Sequence, residues 1–82
     1  MNIIEKKIQD YLVLHNIFPF SVLYIKELPL LKISFYLEDD ITDFIEVSGL
    51  SKICDNSGFR EFKDSILLWG IALSNFLRDV GC

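Results

Sequence analysis

The chain has 82 residues, 51% of them hydrophobic, and 12 Asp and Glu against 8 Lys and Arg give a formal charge of −4. That length makes a single domain, 1–82, without room for a large enclosed substrate cavity, and the apolar content excludes a disordered chain. A pI of about 4.7 argues against direct nucleic-acid binding, because phosphate contacts need a basic face.

The first segment reads as a helix. Asn2 is a good N-cap, and Glu5 three residues later completes a capping-box pattern. Ile4, Ile8, Tyr11, Leu12 and His15 form one stripe at helical spacing, with Glu5, Lys6, Gln9 and Asp10 on the polar side. Asn16 and Pro19 end it. Two strands follow. Phe20–Glu27 is rich in aromatic and β-branched residues. Leu30–Glu38 alternates, with Leu31, Ile33, Phe35 and Leu37 on one face and Lys32, Ser34, Tyr36 and Glu38 on the other. The short connection at Leu28-Pro29 predicts an antiparallel hairpin.

Residues 39–50 admit two readings. A short helix uses Asp39 or Asp40 as cap, buries Ile41, Phe44 and Ile45, and stops at Gly49. A third strand would turn Asp43 toward the core, so the helix is preferred. After a connector at 51–58, Phe59, Phe62, Ile66, Trp69, Leu73, Phe76 and Val80 recur at steps of 3 and 4. That seam predicts one long C-terminal helix ended by Gly81. The expected fold is therefore a small two-layer α+β domain: an N-terminal helix, a β-hairpin or small antiparallel sheet, a short acidic segment, and the long helix packed on the sheet.

Two features exceed what a plain core requires. On the predicted long helix Leu67 and Ile71 fall on the polar side, and with Leu68 they make the rod apolar nearly all round between Ile66 and Leu73. These three residues are expected either beneath other parts of the fold or in contact with a second chain. The other feature is charge. Glu38, Asp39, Asp40, Asp43 and Glu46 occur with no base among them, leaving 8 bases against 7 acids elsewhere. Acids at a helix start complement its dipole and aid solubility; a dense patch also steers docking onto a basic surface. The spacing is not that of a calcium loop.

Recognisable catalytic chemistry is missing from the sequence. His15 is the lone histidine and is expected to pack, or to sit at the helix end. Cys54 and Cys82 are too far from it in the chain to suggest a zinc site, lie in no CxxC, and read as thiols of a reducing compartment. No hydrolase, phosphate-loop or dinucleotide motif occurs. The uncharged run Ser65–Leu77 spans 13 residues, too few to cross a bilayer, and no signal-peptide cleavage site follows the first apolar run. The opening residues 2–9 and Phe35–Asp40 resemble parts of an acyl carrier protein, also small and acidic. The Asp-Ser-Leu attachment motif is absent, and the alternating strand has no place in that four-helix fold.

The expectation is a cytoplasmic, non-enzymatic protein-binding module without a cofactor. It would be of the inhibitor, immunity, antitoxin or anti-defence kind, covering a site on a basic, nucleic-acid-handling protein partner. The alternative is a structural subunit that forms a homo-oligomer through the Leu67/Ile71 face.

Overall fold

The capping signal is realised in the computed structural model, which describes residues 2–53 and 55–82. Helix α1 (Ile3–Leu14) opens on a complete capping box: the Glu5 N–H donates to Asn2 Oδ1 at 2.7 Å, and the Asn2 N–H donates to Glu5 Oε1 at 3.0 Å. Ile8 and Leu12 are fully buried, and Tyr11 packs against the core from the rim. Asn16, at φ 63°, reverses the chain in the left-handed region that Asn tolerates. Glu5 departs from its expected place on the polar side. It is buried, and its second oxygen accepts the Tyr24 N–H at 2.9 Å. His15 stays exposed at the helix end, its ring 4.7 Å from that of Tyr11.

Strands β1 (Ser21–Ile25) and β2 (Leu30–Ser34) pair antiparallel as the hairpin signal predicts, with Val22 opposite Ile33 and Tyr24 opposite Leu31. Both are shorter than the apolar alternation suggests. The chain leaves β2 after Ser34, so Leu37 is not an inward strand residue; it is the exposed N-cap of helix α2 (Glu38–Val47). That helix settles the reading of residues 39–50, burying Ile41 and Phe44 and stopping at Gly49, whose φ of 79° suits a residue without Cβ.

The last third of the chain corrects the sequence reading. Residues 59–69 are not helical. They form a second hairpin, β3 (Phe59–Glu61) and β4 (Ser65–Leu68), and only Gly70–Val80 makes helix α3. Strand β4 inserts beside β2, giving a four-stranded sheet in the order β1-β2-β4-β3. A central strand is covered on its inner face and hydrogen-bonded on both edges, and the run Ile66–Trp69 suits that position as well as a helix. Gly70, at φ 57°, could not continue a helix from upstream, so the strand-to-helix switch falls there. Phe62 and Trp69 are consequently exposed instead of lying on a buried seam, whereas Leu73 and Phe76 are buried as expected.

All three helices share one side of the sheet. Inward residues of β1, β2 and β4 (Val22, Leu31, Ile33, Ile66 and Leu68) join Ile8, Leu12, Phe44 and Phe76 in one core. Aromatic contacts run through it, Phe35 to Phe44 at 5.8 Å and Phe44 to Phe76 at 5.3 Å, with Tyr11 closing on Phe76 at 5.9 Å. Beyond Gly81 (φ 98°) the Cys82 N–H returns to the Leu77 carbonyl at 2.9 Å. Cys82 is exposed with an unpaired thiol, and Cys54 lies outside the described residues. No helix among the described residues is long and apolar enough to cross a membrane.

Candidate docking surfaces

Helix α2 carries the acidic run, and helical geometry divides it. Asp39, Asp43 and Glu46 stand at i, i+4 and i+7 and form one exposed stripe about 10 Å long. Glu38 points elsewhere: with Ile41, Thr42, Glu61, Phe62 and Lys63 it lines a groove of about 220 Å³ between α2 and the β3–β4 turn. Asp40 is half-buried. The five carboxylates therefore do not make one uniform patch.

Three of them, Glu38, Asp39 and Asp40, occupy the first turn, where no side chain caps the backbone. Acids there stabilise the helix through its dipole. That accounts for the start of the run and leaves Asp43 and Glu46, past the first turn, without the same explanation. Among the described residues the one ion pair is Lys6 with Asp10 at 2.6 Å, so none of the acids on α2 is neutralised by a Lys or Arg contact. No three His, Cys, Asp or Glu among the described residues converge as metal ligands would.

Directly before the stripe lie Tyr36 and Leu37, 67% and 65% exposed, with the Phe20 ring 5.1 Å edge-on from Tyr36. Sequence reasoning placed Tyr36 only as the polar side of a strand and Leu37 in the core. The missed signal was the brevity of β2: an Asp pair at 39–40 starts a helix, so the residues before it become an exposed corner.

The three apolar residues expected to share the outer side of a long helix are separated by the fold. Leu68 is fully buried in the core, which removes it as an interface residue. Ile71 is 66% exposed in the first turn of α3. Leu67 lies on the side of the sheet away from the helices, half-buried among its strand neighbours. Its cross-strand partners there are Lys32 and Arg60, and Leu23 pairs with Lys32, so a row Leu23, Lys32, Leu67, Arg60 crosses all four strands. The expected apolar helix face thus does not exist, and an open sheet face takes its place.

Comparison with protein-family models, with curated proteins and with solved structures finds no match to this chain.

Proposed function

We propose that this protein is a small, non-catalytic protein-binding module that works by occupying a site on a basic partner, in the manner of an inhibitor, immunity, antitoxin or anti-defence protein. The observation that carries this reading is the exposed stripe Asp39, Asp43 and Glu46, unpaired by any cation among the described residues and preceded in the chain by the exposed Tyr36 and Leu37. Carboxylates at that spacing present a line of negative charge to Lys and Arg side chains that otherwise meet phosphate or an acidic substrate. The field speeds encounter, and the aromatic-apolar corner supplies the desolvated anchor that surface charge alone lacks. The setting is the cytoplasm.

The test is retention of a basic partner from host extract on the immobilised protein. Wild type should hold it at low salt and release it at high salt, and Asp39→Lys with Asp43→Lys and Glu46→Lys should not hold it at all. Equal retention by wild type and the triple variant removes the reading.

A further inference from the structure

The side of the sheet away from the helices is apolar and aromatic, and every charge at its strand positions is positive. Lys32 and Arg60 stand in one cross-strand row with Leu23 and Leu67. Trp69 extends β4, donating its N–H to the Gly58 carbonyl at 2.7 Å, and strand alternation puts its ring on the Leu67 side, 41% exposed. The Arg60 guanidinium lies 6.0 Å from the centre of the Phe62 ring. No carboxylate occupies a strand position on this side. The negative charge sits in the other layer, on α2.

From this we infer that the sheet face receives α2 of a second copy of this chain. The inference rests on the reading of α2 as a docking surface and names one occupant for it. Charge and spacing both agree. Lys32 and Arg60 are on strands separated by β4, two inter-strand steps or about 9.5 Å apart. Asp39 and Glu46 are seven residues apart on a helix, about 10.5 Å. A helix laid across the strands with Asp39 over Lys32 and Glu46 over Arg60 brings Thr42 over Leu67. The row Lys32, Leu67, Arg60 then meets Asp39, Thr42, Glu46.

A sheet-on-sheet dimer has no such match, since it would oppose two faces that carry only cations. The two complementary surfaces lie in opposite layers of the domain, so the contact is head-to-tail and adds copies in one direction instead of closing on itself. Strands of five, five, four and three residues offer less than roughly 300 Å², under half the ~800 Å² per partner of a standard stable interface. The association is therefore weak, dependent on concentration, and weakened by salt.

Sedimentation velocity over a concentration series tests it. Wild type at low salt should rise in weight-average mass beyond that of a dimer, and high salt should return it toward the monomer. Lys32→Glu with Arg60→Glu should stay monomeric, as should Asp39→Lys with Glu46→Lys, each with an unchanged circular dichroism spectrum. Mixing the two variants should restore association, because each then carries the charge that the other lacks. A wild type that stays monomeric throughout the series overturns the inference, as does a dimer indifferent to the α2 substitutions, or a mixture that stays monomeric. If such a monomer still retains a basic partner in the extract experiment, only this contact falls; if it retains none, the α2 reading falls with it.

Discussion

The two edges of the sheet are secured by different physics. At β1 the edge is fastened by charge: the Glu5 carboxylate reaches from the first turn of α1 to accept the Tyr24 N–H while its other oxygen closes the helix cap. At β3 it is fastened by shape. Gly58 sits at φ 110° directly against β4, and a Cβ there would lie 2.0 Å from the Trp69 carbonyl oxygen. One junction depends on a proton equilibrium and the other on the absence of a methyl group. The Glu5 contact takes up a backbone donor that the β1 edge would otherwise offer to another chain, and the Gly58 approach holds β3 against β4.

The shape-based junction should give the largest effect. Gly58→Ala meets backbone rather than a side chain that can swing away, and it also forces an L-residue into a glycine conformation. The expected loss is about 3 kcal/mol or more in denaturant unfolding. Gly70→Ala is the control that sharpens the point. Its φ of 57° is also positive, but the nearest atom to a new Cβ is the Ser57 carbonyl oxygen at an ordinary 3.8 Å. That substitution should cost only about 1 kcal/mol. Equal losses at the two glycines would mean that backbone conformation, not the close approach to β4, sets the requirement.

The charge-based junction should follow, with Glu5→Ala costing about 2 kcal/mol because two backbone donors lose their acceptor. Its signature is pH. The hydrogen bond from Tyr24, then that from Asn2, hold the Glu5 carboxyl below its ordinary value of 4.5, against an opposing push from burial. A carboxyl with a depressed folded pKa contributes stability that is fully present above its unfolded value. The contribution is lost as pH falls from there through the depressed folded value. Thermal unfolding followed from neutral pH downward should therefore show a loss below about pH 4.5 that is smaller in Glu5→Gln. A Glu5→Gln protein with the full acid-induced loss would assign that loss to other carboxylates.

The same contrast explains which parts of the fold were legible. Helix α1, the first hairpin and α2 announce themselves through neighbours in the chain: Asn2 with Glu5, the alternation from Leu31 to Phe35, and the acids before Ile41. Their reasons are local, and the structure follows them. The second hairpin is different. Phe59, Phe62, Ile66 and Trp69 recur at helical steps, yet two of them face inward and two outward on a hairpin whose strand β4 takes its second partner, β2, from far back in the sequence. The discriminating residues were Gly58, Gly70 and the turn at Lys63-Asp64, where backbone shape overrides apolar period. Glu5 was misread for a related reason: its cap partner is three residues away, but the amide that buries it belongs to Tyr24. The acidic stripe was legible because it is a single helix face. The cationic sheet face was not, because its row takes one residue from each of four strands in two hairpins far apart in the chain.

The smallest expected effect tests whether charge matters at α1 in general or only where Glu5 is buried. Lys6 and Asp10 make an i, i+4 ion pair on the same helix at 2.6 Å, with side chains 63% and 58% exposed. Water screens the attraction, and ordering two flexible side chains offsets much of what remains. The Lys-before-Asp order also opposes the helix dipole. Asp10→Asn should therefore change unfolding free energy by less than about 0.5 kcal/mol, and added salt should shrink even that. Glu5 accepts two backbone hydrogen bonds in a buried position, and its effect should be nearly independent of salt. If Asp10→Asn costs as much as Glu5→Ala, the helix is held by its total charge, and the β1 edge owes little to the Tyr24 contact.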